Sequence, residues 1–349
     1  MGETMRAAVL HGTRDLRVED VPVPTTLGPH DCRVRVGAVG VCGSDVHYYE
    51  HGRIGPFVVE KPMILGHECA GTVVEVGAHV KGITEGQRVA IEPGVPCRRC
   101  RFCHEGKYNL CRDVVFLATP PVDGAFCEYV VSPADFLFAL PDAMTLEQGA
   151  LVEPLAVGVH AARRGGVKPG DTVAVIGMGT IGLLTLQAAA AHGATRAIAA
   201  DVQPNRLAAA GQVGATRLVN AASESVVEAV HEETNGLGAD VVFETAGTVA
   251  TVQQTTECVR PGGVVVLVGL PPESEFPFDV MSLLNREFDV RGVFRYANAY
   301  RACVDLIATG RVNVEPLVTA RYRLEEAEEA LVFASTRKDS CIKVAVTVP

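Results

Sequence analysis

The spacing of hydrophobic residues changes about halfway along the chain. Up to about residue 92, short apolar runs alternate with polar residues, are separated by Gly and Pro, and show little helical periodicity. Such alternation with frequent breaks is typical of strands and turns. This half is therefore expected to be mostly β. Its predicted strands are Arg6–Leu10, Leu16–Val21, Cys32–Val39, Gly71–Val76 and Val89–Glu92.

From Glu153-Pro154 onward, strand-like apolar runs alternate with helical patterns such as Ser223–Thr234 and Thr248–Val259, the second followed by Pro261-Gly262-Gly263. This βα alternation predicts a doubly wound parallel sheet covered by helices on both faces. The six predicted strands are Thr172–Ile176, Arg196–Ala200, Arg217–Val219, Asp240–Phe243, Val264–Val268 and Asp289–Phe294.

After Phe294 the pattern changes again. A helix is predicted near Ala299–Thr309, an amphipathic helix near Leu324–Ala334 and a final strand at Ile342–Thr347. We expect these elements to return the chain to the first domain. The predicted division is residues 1–154 and 295–349 for one domain and 155–294 for the other.

A glycine motif follows the first strand of the second half. Val173–Ile176 leads into Gly177-Met178-Gly179-Thr180-Ile181-Gly182, and a helical pattern rich in Leu and Ala runs from Ile181 to His192. A lone G-x-G-x-x-G is weak evidence, but here it joins a strand to a helix. Glycines in that place allow a tight turn and close approach of backbone to a pyrophosphate at the helix N-terminus.

An acid ends the next strand, as dinucleotide-binding folds require. Asp201 follows Gly182 at about the spacing expected of the carboxylate that accepts hydrogen bonds from the adenosine ribose. Its charge would repel the 2′-phosphate of NADP, so NAD is the predicted cofactor. Arg206 leaves an alternative open, because it either holds a phosphate or lies on the exposed face of the helix that Pro204 begins.

The composition limits the class of protein. With 349 residues, 48% hydrophobic and 21% charged, the chain is expected to form about two soluble globular domains. A net charge of −10 with scattered basic residues argues against nucleic acid or anionic membranes as partners. We find no signal-peptide pattern and no apolar run near 18 residues, so a cytoplasmic location is expected.

The cysteines are expected to bind metal. Eleven cysteines in a long chain without an export signal favour metal ligation over disulfides. Cys97, Cys100, Cys103 and Cys111 form a C-x2-C-x2-C-x7-C segment that is too polar to make a core. Four close thiolates suit a closed structural zinc site. An iron–sulfur cluster is the competing interpretation, but its bacterial pattern continues with x3-C-P, and this segment does not.

Two further groups carry residues that packing does not require. Cys42-Gly43-Ser44-Asp45-Val46-His47 and Gly66-His67-Glu68 together offer a thiolate, an imidazole and a carboxylate. These are the ligand types of zinc, whose catalytic sites keep one position open. Taken singly, Cys42 is more often a buried small apolar residue and His67 a core histidine; their pairing with a nucleotide fold favours metal ligation.

These motifs together resemble the zinc-dependent medium-chain dehydrogenases and, among them, the sorbitol (L-iditol, xylitol) dehydrogenases. The similar stretches lie in both halves: CGSDVHYYEHGRIG at 42–55, KPMILGHECAGTVVEVG at 61–77, FLATPPVDGAFCEY at 116–129, LVEPLAVGVHAARRGG at 151–166 and GVFRY at 292–296. The resemblance implies an α/β protein with a GroES-like, mostly β catalytic domain, a Rossmann domain with a six-stranded parallel sheet, and a homotetramer. All four structural-zinc cysteines are kept, which some animal sorbitol dehydrogenases have lost.

The resemblance also implies roles for individual residues. Cys42, His67 and Glu68 would bind the catalytic zinc, with Glu153 as a further ligand or as a base beside it. Ser44 and His47 would relay the alcohol proton, unless they are a turn cap and a surface histidine. The substrate residues would be Tyr48, Phe116, Thr119, Glu153, Arg295 and Tyr296. The cofactor residues would be Gly177, Gly179, Thr180, Ile181, Gly182, Asp201, Arg206, Val268, Leu270, Phe294 and Arg295.

Zinc beside a nicotinamide predicts alcohol oxidation, because a Lewis acid lowers the pKa of the alcohol from which hydride leaves. The expected reaction is oxidation of a polyol such as sorbitol or xylitol at a secondary hydroxyl, giving a ketose and NADH. A threonine or simple secondary alcohol dehydrogenase is the alternative, but it should lack Arg295-Tyr296. A non-catalytic binding or regulatory protein is the other class; such proteins usually lose zinc ligands, and this chain keeps them.

Overall fold

The computed structural model describes residues 2–271, 275 and 277–349. The described chain forms two compact units. The first contains Met1–Glu153, Tyr300–Ala308 and Val318–Pro349, and the second contains Pro154–Ala299 and Thr309–Leu317. The division differs in detail from the predicted one, because residues 295–299 and 309–317 belong to the second unit. No helix among the described residues is long and apolar enough to span a membrane.

The first unit is mostly β. A seven-stranded sheet has the order β12-β8-β7-β3-β20-β19, and β11 also pairs with β3. A second sheet has the order β2-β1-β6, and two short pairs are β4 with β5 and β9 with β10. The strands are β1 Thr4–Gly12, β2 Asp15–Pro22, β3 Asp31–Gly40, β4 Arg53–Ile54, β5 Phe57–Val58, β6 Met63–Ile64, β7 Glu68–Val76, β8 Arg88–Ile91, β9 Gly94–Val95, β10 Val115–Phe116, β11 Tyr129–Pro133, β12 Leu137–Ala139, β19 Val318–Arg323 and β20 Lys343–Thr347.

The alternating pattern of the sequence explains the core of this unit. In β3 the side chains of Cys32, Val34 and Val36 are buried, while Arg33 between them is partly exposed and Arg35 is exposed, as expected for a sheet with one covered face. The unit's helices are α1 Gly43–His51, α2 Arg101–His104, α3 Leu146–Ala150, α10 Tyr300–Ala308 and α11 Ala327–Thr336.

The second unit contains a six-stranded parallel sheet with the order β15-β14-β13-β16-β17-β18. This is the doubly wound order of dinucleotide-binding folds, so the predicted fold class is confirmed. The strands are β13 Thr172–Ile176, β14 Arg196–Asp201, β15 Arg217–Asn220, β16 Ala239–Glu244, β17 Val259–Leu267 and β18 Asp289–Gly292. The helices are α4 Val152–Gly165, which begins in the first unit, α5 Thr180–Ala191, α6 Pro204–Gln212, α7 Val226–Glu233, α8 Val249–Cys258 and α9 Val280–Arg286.

Three sequence expectations were wrong in detail. Residues 43–51 form helix α1, where little helical periodicity was found and no helix was predicted; the Asp45 carboxylate accepts a hydrogen bond from the Cys42 backbone N–H, which caps the helix. The sixth strand ends at Gly292 instead of Phe294. Strand β17 begins at Val259 and includes the Pro-Gly-Gly sequence that was expected to separate helix from strand.

Candidate active site and metal centres

Cys42, His67 and Glu68 lie together in the first unit. One ligand atom from each lies within 4.8 Å of the other two. Cys42 precedes helix α1, and Glu68 begins β7, where it pairs with Gly40 at the end of β3. Because β3 and β7 are neighbours, the fold brings two segments that are separated in sequence to one point. The predicted ligand cluster therefore forms within one unit, with His67 and Glu68 buried.

Asp45 holds the two ligand-bearing segments against each other. Its carboxylate accepts hydrogen bonds from the Cys42 backbone N–H at 2.9 Å and from the Gly66 backbone N–H at 3.0 Å. One of its oxygens also lies 3.7 Å from Nδ1 of His67. Full burial raises the pKa of Asp45, and His67 opposes that rise. The sequence analysis did not give Asp45 this role, because only the folded chain brings Gly66 and His67 to it.

The electrostatics of the cluster favour a cation. Burial lowers the pKa of His67, but the charges of Cys42 and Asp45 outweigh that effect and raise the pKa to about 10. Glu153, buried at 6% exposure, raises it further. The negative charges of Cys42 and Asp45 that raise this pKa would also attract a metal ion, for which the imidazole would have to be unprotonated. The thiolate, imidazole and carboxylate donors fit zinc, and the buried surroundings suit a site with restricted solvent access.

Lys343 is a residue of the cluster that the sequence analysis missed. Its ammonium donates hydrogen bonds to Oε1 and Oε2 of Glu68 at 2.8 and 2.7 Å and to the Val41 carbonyl at 2.7 Å. Its side chain is 4% exposed and that of Glu68 is 1% exposed. Burial lowers the pKa of Lys343, but the Glu68 carboxylate raises it above its ordinary value. A lysine in an otherwise apolar final strand was the available signal.

The other predicted catalytic residues lie around the cluster at different depths. Glu153 is not part of the group of ligand atoms within 4.8 Å, although its charge acts on His67 and Lys343. Ser44 is partly exposed on the first turn of α1, and His47 is exposed on the next turn. The ring of His47 lies 5.5 Å from that of His51. The relay through Ser44 and His47 stays a prediction.

Besides Glu153, two of the predicted substrate residues are buried in the same unit. The ring of Phe116 lies 5.7 Å from that of His67, and Phe116 is 7% exposed. Tyr48 on α1 is 3% exposed, and Thr119 is partly exposed, with its N–H donating to the Phe116 carbonyl at 3.1 Å. Phe116 therefore lies beside one residue of the ligand cluster, and contact of these three residues with substrate stays a prediction.

The remaining predicted substrate residues belong to the second unit. Arg295 follows β18 with a φ of 54° and places its guanidinium carbon 4.9 Å from the centre of the Phe294 ring. A non-glycine residue in this left-handed region is uncommon and is found more often where a side chain serves a function. Tyr296 is 3% exposed. Their contact with substrate stays a prediction.

The four predicted structural cysteines also converge. One sulfur atom from each of Cys97, Cys100, Cys103 and Cys111 lies within 4.8 Å of the others. The Cys100 and Cys103 sulfurs are 3.4 Å apart, and the Cys97 backbone N–H donates to the Cys111 sulfur at 3.3 Å. Each cysteine is a free thiol. The segment begins after β9 and ends before β10, which pair with each other, so it forms a lobe on a short antiparallel pair.

The glycines of the motif have three different surroundings. Gly177 has a φ of 100°, and a Cβ there would lie 2.7 Å from the Ala246 backbone nitrogen. A Cβ on Gly182 would collide with the Gly177 carbonyl, whereas a Cβ on Gly179 would meet nothing within 4 Å. These are the surroundings of a tight turn, a helix packed closely on its strand and an open approach for a ligand. Thr180 and Ile181, both partly exposed, begin helix α5 at this opening.

Asp201 ends β14 beside the motif. Its carboxylate accepts from the Met178 backbone N–H at 2.6 Å and from the Gln203 backbone N–H at 2.8 Å, and it is 7% exposed. The Arg206 guanidinium lies 3.8 Å from the Asp201 carboxylate. Of the other predicted cofactor residues, Val268 donates its N–H to the Glu244 carbonyl at 2.9 Å, while Leu270 is 73% exposed and Phe294 is 50% exposed.

Comparison with known proteins agrees with this geometry. Residues 28–142 match the model of the alcohol dehydrogenase GroES-like domain, and residues 180–309 match that of zinc-binding dehydrogenases. The chain is 47% identical to a sorbitol dehydrogenase of Bacillus subtilis, covering 99% of this chain and 97% of the relative. It is 45% identical to a protein of Aspergillus clavatus named "Probable D-xylulose reductase A", covering 92% of this chain and 91% of the relative.

A solved structure from Sinorhizobium meliloti, described as a zinc-binding dehydrogenase bound to NADP, is also similar. It has a TM-score of 0.91 and 36% identity and covers 99% of both chains. Near full-length identity of this order leaves no part of either unit outside the likeness. The chain therefore belongs to the zinc-dependent medium-chain dehydrogenases and, within them, to the group that resembles sorbitol dehydrogenase.

Proposed function

We propose that this protein oxidises a polyol such as sorbitol or xylitol at a secondary hydroxyl next to a terminal one, giving a ketose and transferring hydride to NAD. The observation that carries the proposal is the buried group of Cys42, His67 and Glu68, whose ligand atoms lie within 4.8 Å of one another. A sorbitol dehydrogenase and a D-xylulose reductase among the relatives support the polyol as substrate.

The residues of the first unit are proposed to have different roles at this site. Cys42, His67 and Glu68 would hold zinc, which supplies a Lewis acid for the alcohol oxygen. Asp45 keeps the segments of Cys42 and His67 in place through its two backbone hydrogen bonds. Glu153 lies close enough to act on His67 electrostatically and is proposed as a further zinc ligand or as a base beside the zinc.

The proton would leave through Ser44 and His47. Both residues lie on α1, and their exposure increases from the partly exposed Ser44 to the exposed His47. A hydroxyl can both donate and accept a hydrogen bond, and an imidazole can take up a proton on one ring nitrogen and release one from the other, so the two side chains can pass a proton to solvent. His47→Asn would remove the second step and is expected to lower turnover at neutral pH, with recovery on addition of imidazole buffer.

NAD is proposed over NADP because of Asp201. The backbone N–H groups of Met178 and Gln203 fix its carboxylate at the strand end, and an acid at this position of such folds is expected to accept from the ribose hydroxyls of the dinucleotide. The Arg206 guanidinium lies 3.8 Å from that carboxylate, so the positive charge of Arg206 is already compensated by Asp201 and is less available to a 2′-phosphate. The NADP-bound relative makes the test necessary. Steady-state kinetics should give at least tenfold higher kcat/KM with NAD; a preference for NADP would refute this assignment.

Arg295 and Tyr296 are proposed to bind the hydroxyls of the polyol. A polyol needs donors and acceptors spaced along its chain, whereas a simple alcohol needs only an apolar slot, which discriminates weakly. Tyr48, Phe116 and Thr119, which belong to the first unit, are further residues proposed to bind the polyol. Arg295→Ala is expected to raise KM for sorbitol or xylitol by about tenfold and to change KM for NAD much less. Arg301→Ala, on the exposed side of α10, is the matched control.

The decisive experiment is a substrate panel before and after chelation. Sorbitol, xylitol, threonine, ethanol and 2-butanol would each be offered with NAD and with NADP. We expect the highest kcat/KM with a polyol and NAD, and loss of activity after zinc is removed. Better oxidation of threonine or of a simple alcohol than of every polyol would favour the alternative dehydrogenases.

The chain is further proposed to work as a homotetramer in the cytoplasm. β18 is an edge strand of the parallel sheet. Its Val290 is 38% exposed, and Met281 and Leu284 on α9 are each 62% exposed. An exposed edge strand with exposed apolar side chains nearby is suited to pairing with another chain. Eleven free cysteines, four of them within one cluster, suit a reducing compartment.

A further inference from the structure

Lys343 reaches Glu68 across the end of a third strand. Glu68 begins β7 and Lys343 begins β20, and β3 lies between them in the sheet. At the crossing point β3 has Gly40, which pairs with Glu68 on one side and with Ala345 on the other. A Cβ on Gly40 would collide with Oε2 of Glu68. The glycine leaves the space in which the carboxylate and the ammonium meet.

The ammonium of Lys343 is fully used in this arrangement. A lysine has three N–H donors, and these are directed to the two oxygens of Glu68 and to the carbonyl of Val41, the residue before Cys42. The Val41 N–H in turn donates to the Val344 carbonyl at 2.9 Å. Lys343 therefore fixes Glu68 and is tied to the segment that bears Cys42.

The carboxylate of Glu68 still has the capacity to bind a metal. Two carboxylate oxygens offer about four lone-pair sites, and Lys343 occupies one on each oxygen. An oxygen of Glu68 also lies within 4.8 Å of ligand atoms of Cys42 and His67. One carboxylate thus faces the ammonium and the ligand cluster at the same time.

The positive charge of Lys343 determines whether it strengthens or weakens metal binding by Glu68. Hydrogen-bond acceptors behind a metal ligand, such as a carboxylate behind a histidine, raise the basicity of the ligand and tighten the metal. An ammonium does the opposite, because it draws electron density from the carboxylate and repels the divalent ion. Burial of both side chains keeps solvent from screening this effect.

We propose that Lys343 is a positioning residue that holds Glu68 at the zinc site and weakens it as a ligand, so that the bound zinc stays a strong Lewis acid. The inference rests on the proposed zinc site and goes beyond it. Lys343 would lower the affinity for zinc and raise its strength as a Lewis acid, because a zinc ion bound by a less donating carboxylate would accept more electron density from the substrate oxygen.

The test measures zinc affinity as well as turnover. Zinc transfer to a chromogenic chelator would be followed for the wild type, Lys343→Met and Lys343→Arg. Zinc from the two sites should be released in two kinetic phases, and the phase that is missing in Cys42→Ser identifies the zinc of this cluster. Lys343→Met should bind that zinc about tenfold or more tightly. It should also lower kcat about tenfold and leave KM for the polyol nearly unchanged. Lys343→Arg keeps the positive charge, so its zinc affinity should stay within about threefold of that of the wild type.

Equal or weaker zinc binding in Lys343→Met would overturn the inference, and so would an arginine variant that behaves like the methionine variant. If Lys343→Met does not fold, Glu68→Gln and the double variant Glu68→Gln/Lys343→Met provide the comparison, because the double variant leaves no buried unpaired charge at either position. The double variant should bind zinc about tenfold more tightly than Glu68→Gln, and equal affinity would contradict the proposal. A wild type that lacks the Cys42-dependent phase would instead refute the proposed zinc site itself.

Discussion

The two metal-ligating clusters of the first unit are built in opposite ways. The four cysteines of the lobe come from one short segment between Cys97 and Cys111, and all four ligands are of one kind. The other cluster draws Cys42 from the start of α1 and His67 and Glu68 from the start of β7, and it is completed by Lys343 near the end of the chain. The ligands of the lobe all come from one segment, whereas the residues of the mixed cluster come together only when strands β7, β3 and β20 pair in the sheet.

The comparison shows how charge separates a structural site from a reactive one. In the lobe, thiolates alone surround the metal position, and they can close it completely. In the mixed cluster a buried lysine acts on one ligand, and buried carboxyls of Asp45 and Glu153 act on another. Neighbours of this kind would tune a bound metal instead of closing its coordination. The predictions below test this difference.

Cys100→Ser should have the largest effect, and it should act on stability. Loss of one thiolate opens the lobe, which has little apolar material of its own, and the unfolding free energy should fall by about 4 kcal/mol. Turnover per folded molecule should change by less than about threefold. Denaturant unfolding and active-site titration would measure the two quantities. Cys258→Ala, in the core of the second unit, is the control that should keep both zinc ions.

Glu68→Gln should act mainly on turnover, the reverse of Cys100→Ser, which acts mainly on stability. The carboxylate acts on the metal and its substrate, so kcat should fall by more than about 100-fold, a loss of about 2.7 kcal/mol in transition-state stabilisation. NAD affinity, measured by fluorescence titration, should stay within about threefold. Glu75→Gln, on the same strand but paired with Arg33 at 2.8 Å, serves as the matched control. Lost NAD binding with unchanged turnover of the bound enzyme would contradict the assignment.

Glu153→Gln should resemble Glu68→Gln with a smaller effect. Glu153 lies outside the group of ligand atoms within 4.8 Å but acts on His67, so a decrease in kcat of about 10–100-fold is expected. Glu147→Gln, nearby in sequence and paired with the exposed Arg321, is the control. Zinc content below that of the wild type would show that Glu153 is a direct ligand.

Glu92→Gln should have the smallest effect, and it should depend on pH. Burial raises the pKa of Glu92 to about 7, and the hydroxyl of Tyr108 from the lobe donates to it at 2.7 Å. The folded state thus favours protonated Glu92, and this contribution to stability is full below about pH 4.5 and is lost as pH rises through about 7.

The glutamine variant cannot lose a proton, yet it keeps an oxygen that can accept from Tyr108. Its stability relative to the wild type should therefore increase by about 1–2 kcal/mol between pH 5 and pH 8. Urea unfolding at several pH values would measure this difference. Parallel pH profiles for the two proteins would show that Glu92 is ionised throughout.

The parts of the molecule that could be predicted from the sequence are those with local causes. The order strand, glycine turn, helix, strand and acid from Val173 to Asp201 has its own periodicity and turn chemistry, and the sheet follows from it. The cysteine lobe was predictable because its spacing alone brings four thiols together. The resemblance to sorbitol dehydrogenases supplied most of the other site residues.

Features that depend on tertiary contacts were missed. Helix α1 has a weak apolar pattern, and the Asp45 carboxylate that caps it also binds the Gly66 N–H, which sequence spacing does not reveal. Lys343 is separated from Glu68 by most of the chain, and only the strand order β7-β3-β20 brings them together over Gly40. A lysine in a final strand otherwise suggests an exposed edge.

Zinc content per folded chain tests the central difference between the two clusters most directly. Elemental analysis of the wild type, Cys42→Ser and Cys100→Ser, with turnover of each on xylitol and NAD, separates the sites. The account predicts two zinc ions in the wild type and one in each variant, with turnover abolished only in Cys42→Ser. One zinc in the wild type, or turnover that disappears with the zinc of the cysteine lobe while Cys42→Ser stays active, would contradict it.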